Sequence, residues 1–226
     1  MSTVASRIKE VVERVSAAAE RSGREASDIG IVAVAKKHSA EAIVAAVEAG
    51  LFDIGENYVQ ELVAKRHALA DRPVRWHFLG QLQRNKVKDA LGCELLHGVD
   101  SERLAGAIAK RADAAGIKQK VLVAVNLAGE ASKSGVIPGD LPALLEQIQG
   151  LDGIICTGLM TLPPRDEESR PWFQKLRKLR DLCASEEQPL PELSMGMSAD
   201  FETGIEEGAT LIRIGTAIFG PREASG

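Results

Sequence analysis

The sequence predicts a single (β/α)₈ barrel. Eight short strand-like runs alternate with helical ones along 226 residues, and strict alternation of this kind means a parallel sheet. The C-terminal ends of the runs gather polar and small residues while their bodies are apolar, as in a barrel whose site lies at that mouth. No G-x-G-x-x-G or Walker A pattern occurs, so the glycine-rich turn that usually marks an open doubly wound sheet is missing. One α/β domain over residues 1–226 is therefore expected, with an extra helix ahead of the first strand.

That helix is written in Val4, Ile8, Val11, Val12 and Val15, which recur at helical spacing and run out near Gly23. The first strand is expected at 31–36, with Ser39 opening a helix that stops at Gly50. A second strand follows at 52–55, and Glu56 to Glu61 reads as the start of the next helix. The remaining strands are expected at 75–80, 94–99, 120–126, 154–160, 193–197 and 211–215. Helices between them are expected at 83–91, 101–115, 138–148, 167–184 and 199–207. The stretches 127–138 and 161–166 read as long loops of the same domain.

Composition narrows the partners. A net charge of −4 gives no basic signature for nucleic acid or an anionic membrane. Cys93, Cys156 and Cys183 form no C-x-x-C and read as reduced thiols. Arg7, Lys9, Glu10, Glu13 and Arg14 interrupt any signal-peptide-like run, and no stretch approaches membrane-spanning length. A cytoplasmic monomer is the expectation.

The strand ends carry the chemistry. In a pleated strand Lys36 shares the face of Val32 and Val34, while Lys37 points away. An amine turned into the mouth of an apolar barrel loses hydration, its pKa falls, and it becomes a nucleophile toward carbonyls; the alternative is a pair of rim lysines in solvent. At the last two strands, Ser198 offers a hydroxyl beside a helix start, and Gly215-Thr216 offers an open backbone N–H and a second hydroxyl. The loops after strands seven and eight often bind phosphate in this fold; the plainer reading makes Ser198 an N-cap and Thr216 a solvated loop residue. Asp200 is unfavourable beside a phosphate.

Arg213 shares the face of Gly215 and would point inward, where its charge needs an acceptor. Either a ligand or a core carboxylate such as Glu56 would serve. An inward lysine opposite a phosphate site suits a ligand with both an aldehyde and a phosphate, either pyridoxal 5'-phosphate (PLP) or a sugar phosphate in an aldolase. His38, His67, His77 and His97 show no metal-ligand spacing, and His77 reads as a satisfied structural histidine. Trp76 and Phe78 read as packing between barrel and helices. Lys133 reads as a mobile lid residue or, more plainly, as part of a solvated loop, and the basic stretch Gln83 to Lys88 as a solvated face.

Five motifs together resemble the pyridoxal phosphate homeostasis protein family. They are Ala33-Val34-Ala35-Lys36, Phe52 to Glu61, Trp76 to Lys86, Ser194 to Phe201 and Arg213 to Gly220. The resemblance covers nearly the whole chain. It implies a fold-type III barrel like the N-terminal domain of alanine racemase, with PLP held as a Schiff base on Lys36. It also implies that Ser198, Gly215 and Thr216 bind the phosphate, that Arg213 faces the pyridine nitrogen, and that Asn57 lies beside the cofactor.

An arginine there keeps its proton, so the ring nitrogen would stay unprotonated and be a weak electron sink. The chain also ends soon after the eighth strand, without the second domain that supplies an opposed acid/base group in alanine racemase. Tyr58 is the sole tyrosine and begins a helix. The expectation is a non-catalytic PLP carrier acting in intracellular PLP homeostasis, with PLP-dependent apoenzymes as transient partners. The alternative is a weak racemase-like enzyme.

Overall fold

The computed structural model describes residues 3–221. Eight parallel strands close into a barrel in chain order, β8 pairing with β1. They are β1 (Gly30–Val34), β2 (Asp53–Glu56), β3 (Arg75–Phe78), β4 (Leu95–Val99), β5 (Gln119–Ala124), β6 (Ile154–Met160), β7 (Glu192–Met197) and β8 (Leu211–Ile214). The α-helices among the described residues are α1 (Val4–Arg21), α2 (Ala40–Glu48), α3 (Val59–Ala68), α4 (Val87–Ala90), α5 (Glu102–Ala114), α6 (Leu141–Gln149), α7 (Arg170–Cys183), α8 (Phe201–Glu206) and α9 (Thr216–Phe219). The barrel prediction holds, extra helix included. The expected domain span of 1–226 takes in residues 1, 2 and 222–226, which lie outside the described residues.

Alternation along the strands separates two apolar regions. Ala33, Ile54, Trp76, Phe78, Leu96, Val121, Val123 and Leu193 point outward and form the main core with the helices. A smaller cluster of Leu95, Leu122, Ala124 and Met160, with Leu211 against it, fills part of the barrel interior. His77, His97, Ser194 and Arg213 are also buried, which matters below. Helix α1 packs against α2, α8 and α9, taking the ring position that four-residue α9 is too short to fill. Arg7 reinforces this by donating from Nε to the Ile218 carbonyl (2.6 Å) and from Nη2 to that of Phe219 (3.1 Å). These are the C-terminal carbonyls that α9 leaves unpaired.

Several boundaries differ from expectation, each for a visible reason. Strand β1 ends at Val34, and Lys36 and Lys37 lie in a turn. Lys37 has φ 62°, a left-handed conformation uncommon outside glycine. Glu56 closes β2 rather than opening a helix; α3 starts at Val59, with Tyr58 as its N-cap. Strand β3 stops at Phe78 rather than running to residue 80. A Cβ on Gly80 would stand 2.0 Å from the Asn57 carbonyl oxygen, so glycine is needed where the chain leaves the sheet beside the β2 end. Residues 198–200 form a turn, and α8 begins at Phe201 with Asp200 in the N-cap position. The stretches 84–86 and 138–140 are 3₁₀ turns leading into α4 and α6.

Candidate functional site

A cavity of about 500 Å³ opens at the C-terminal mouth of the barrel. It is lined by Lys36, Asn57, Ser198, Arg213, Gly215 and Thr216, all six residues singled out from sequence, together with Val34, Met160 and Lys133. A smaller recess of about 230 Å³ adjoins it, sharing Asn57, Leu79, Lys133, Met160 and Leu162. No group of three or more His, Cys, Asp or Glu residues among those described is arranged to hold a metal.

Lys36 lines the cavity beside Val34. It is half-buried in the β1–α2 turn, whereas Lys37 is exposed. The strand alternation thus gave the correct side although the strand stops two residues earlier. A buried ionic cluster holds this turn from behind. Lys65 of α3 donates to the Ala35 carbonyl at 2.9 Å, to Glu56 Oε1 at 2.6 Å and to Glu61 Oε2 at 2.8 Å. The Lys37 N–H donates to the same Glu61 oxygen at 2.8 Å. Both neighbours of Lys36 are therefore tied to one cluster, which supports the left-handed Lys37. Burial raises the Glu56 carboxyl to about 7, against the pull of Lys65.

Opposite, Ser198 does not cap α8. Its Oγ reaches across to the start of α9 and accepts the backbone N–H groups of Gly215 and Ala217, each at 3.3 Å. This gathers the Ser198 hydroxyl, Gly215 and the exposed Thr216 into one patch on the cavity wall. Asp200 turns away from it, its Oδ1 accepting the Met197 N–H at 2.7 Å. A Cβ on Gly215 would meet Val34 only at ordinary contact distance, 3.5 Å and beyond. The protein's own packing therefore does not require glycine there; its N–H is held by Ser198 and its carbonyl by the N–H groups of Ile218 and Phe219.

Arg213 is buried yet lines the cavity. It does not pair with Glu56, which belongs to Lys65. Its Nη1 donates to Ser194 Oγ at 2.6 Å and its Nη2 to the Thr161 carbonyl at 2.9 Å. Burial pushes its pKa down to about 10, with Asp200 pulling the other way, so the guanidinium stays charged at neutral pH. Asn57 brings a side-chain Oδ1 that is buried with no hydrogen-bond partner among the described residues. An orphaned polar atom on a cavity wall is unusual enough to need an explanation.

Sequence reasoning passed over Ser194 and Thr161, which hold Arg213. It also did not settle the place of Lys133. That residue lines both recesses, pairs with Glu130, and donates to the carbonyls of Leu162 (3.3 Å) and Pro163 (2.9 Å). It thereby bridges the two long loops. Trp76 and Phe78 pack outward as expected. His38 stacks on Phe219, with ring centroids 5.0 Å apart. Tyr58 is exposed and does not line the cavity.

A closed parallel barrel whose mouth brings Lys36, Ser198, Arg213 and Thr216 to one cavity is built like the alanine-racemase-type barrels. The family described as alanine racemase, N-terminal domain, matches residues 7–223. The pyridoxal phosphate homeostasis protein of Aquifex aeolicus is 46% identical over 96% of this chain and 97% of its own length. That of Escherichia coli K12 is 37% identical over 100% and 99%. The structure of PipY from Synechococcus elongatus with PLP bound superposes with a TM-score of 0.80 at 35% identity, covering 93% of this chain and all of that one. The chain belongs to the pyridoxal phosphate homeostasis protein family.

Proposed function

We propose that this protein binds PLP in the cavity at the barrel mouth and acts in PLP homeostasis as a carrier, without catalytic turnover. The observation that carries this reading is the convergence of Lys36, Asn57, Ser198, Arg213, Gly215 and Thr216 on one cavity. The related PipY structure holds PLP, and the relatives are named for homeostasis, not for a reaction. When bound, PLP supplies an aldehyde that a lysine amine can hold as a Schiff base.

Each residue has a definable task. Lys36 presents its amine from a turn fixed on both flanks. Ser198, Gly215 and Thr216 bind the phosphate through hydroxyl and backbone donors. Asn57 gives its unpartnered oxygen a donor on the ligand. Arg213 faces the ring nitrogen and, charged at neutral pH, donates a hydrogen bond to it without giving up its proton. The nitrogen therefore stays unprotonated, which withholds the electron sink that carbanion chemistry requires. Tyr58 stands outside the cavity and offers no opposed acid/base group to Lys36. The same reading makes the protein a monomeric, single-domain cytoplasmic carrier that hands PLP to PLP-dependent apoenzymes. No helix among the described residues is long and apolar enough to cross a membrane.

The test is direct. Protein incubated with PLP should turn yellow, and borohydride should fix the label on Lys36; Lys36→Ala should take up none covalently. Alanine and serine racemisation should not exceed that of free PLP. Label on another lysine would overturn the site, and Lys36-dependent racemisation well above free cofactor would overturn the carrier reading.

A further inference from the structure

The polar part of the barrel interior is a continuous chain of hydrogen bonds leading away from the cavity. Beyond Arg213, Ser194 Oγ lies 2.9 Å from His97 Nδ1. His97 Nε2 lies 3.0 Å from His77 Nδ1, the rings 5.3 Å apart and inclined at 61°. His77 Nε2 lies 3.1 Å from Asp53 Oδ1. Asp53 also takes Nε and Nη2 of Arg75 at 2.7 and 2.5 Å. Asp53 is the first residue of β2, at the end of the barrel opposite the cavity, and Arg75 beside it is exposed.

The chemistry of the groups fixes the direction of every bond. Asp53 is held as a carboxylate by Arg75 and can only accept, so His77 Nε2 carries a proton. In a neutral imidazole the other nitrogen then accepts, so His77 Nδ1 takes the proton of His97 Nε2. His97 Nδ1 accepts in turn from the Ser194 hydroxyl, whose lone pair is left for Arg213. Each donor meets one acceptor. Burial, with the charge of Arg213 nearby, keeps His97 neutral, its pKa well below the usual value. A doubly protonated His77 would reverse the order, and the Ser194 hydroxyl would lose His97 as its acceptor.

We infer that Ser194, His97 and His77 are positioning residues for Arg213. They form a relay of one polarity, anchored on Asp53, that dictates which guanidinium donors are engaged behind the cavity and which remain for the ligand. The role of Arg213 toward a pyridine nitrogen rests on the PLP reading above; the polarity of the relay does not.

Two measurements on the full-length protein separate these. Long-range ¹H–¹⁵N spectra of the histidine-labelled apo protein should show His97 as a neutral Nε2–H tautomer whose Nδ1 accepts a hydrogen bond. An Nδ1–H tautomer or a charged ring at His97 would overturn the relay, whether or not PLP binds. In the loaded protein, Ser194→Ala should weaken PLP retention roughly five- to a hundredfold, as expected when a buried charged donor loses its acceptor, and should shift the bound absorbance band. Ser194→Thr, which keeps the hydroxyl, should restore both. His97→Leu, outside the cavity, should shift the band in the same direction by a smaller amount. Folded Ser194→Ala and His97→Leu proteins with unchanged band and affinity would sink the inference. Should either variant fail to fold, the tautomers of the wild-type protein decide.

Discussion

Two buried polar networks converge on the cavity from opposite sides of the barrel wall, and they are built on opposite principles. Behind Lys36, outside the wall, Lys65 sits among Glu56, Glu61 and the Ala35 carbonyl. Its charge is compensated within the network. Behind Arg213, inside the wall, the bonded partners are a serine and a carbonyl; no carboxylate among the described residues salt-bridges it, and Asp200 acts on it only at longer range. One network is closed on itself and holds a backbone turn. The other is open toward the cavity and leaves a cation to be met by whatever binds there. The first should therefore govern stability and the second ligand retention.

Breaking the closed network should have the largest effect. Lys65→Met leaves Glu56, fully buried, without its cation, and losing one partner of a buried pair costs about 3–5 kcal/mol. The loss should depend on pH. Burial raises the Glu56 pKa to about 7 against Lys65. The folded state therefore holds a proton that the unfolded chain gives up near the ordinary carboxylate value. The stability associated with that proton is fully present below about 4.5 and is lost as pH rises through about 7. Without Lys65 the folded pKa climbs further, so denaturant unfolding should show the larger penalty at pH 8 and a smaller one at pH 5. An equal penalty at both would mean that Glu56 stays ionised throughout.

Breaking the open network should separate stability from function. Arg213→Met removes a buried charge that has no carboxylate partner among the described residues, and so relieves the cost of keeping that charge out of water. Apo Arg213→Met should thus unfold at the same or higher denaturant concentration than wild type, while its PLP retention falls at least roughly tenfold, the loss of one charge-assisted hydrogen bond. Destabilisation of the apo protein by several kcal/mol would show that Arg213 is a structural post.

The contrast also explains what the sequence disclosed. Features local to one strand or turn were legible: the alternation that turns Lys36 inward with Val34, the glycines that end helices, and the polar strand ends that gather at one mouth. Features needing the register between strands were not. Glu56-Asn57-Tyr58 looks like an acidic helix start, and only the fold brings Lys65 back to Glu56 and lets the strand continue to it. Ser198 precedes a helix and looks like its cap, but Asp200 takes that position while Ser198 bonds Gly215 and Ala217 on the neighbouring strand and helix. His77 and His97 could be read as inward only with register in hand. Which of them meets Ser194 depends on the barrel's stagger, and the β4–β5 and β7–β8 pairings are both irregular. Cross-barrel pairing has no period to read in one chain.

The smallest effect belongs to the far end of the open network, where water reaches it. Arg75 is more than half exposed, with 53% of its side chain accessible, and its pair with Asp53 is a surface pair; such pairs contribute about 1 kcal/mol or less. Burial alone would raise the Asp53 pKa, but hydrogen bonds from Arg75 and His77 overcome it and hold the group at about 2. A depressed carboxylate contributes stability that is present above its unfolded value, 3.8, and disappears as pH falls through about 2. Arg75→Ala should therefore change stability at pH 7 by under about 1 kcal/mol and shift the acid-unfolding limb to higher pH. His77 still donates to Asp53 in this variant, so the relay keeps its anchor and the absorbance band of bound PLP should stay in place. A band that moved as far as in Ser194→Ala would show that the exposed arginine, and not the half-buried carboxylate, sets the order of the chain.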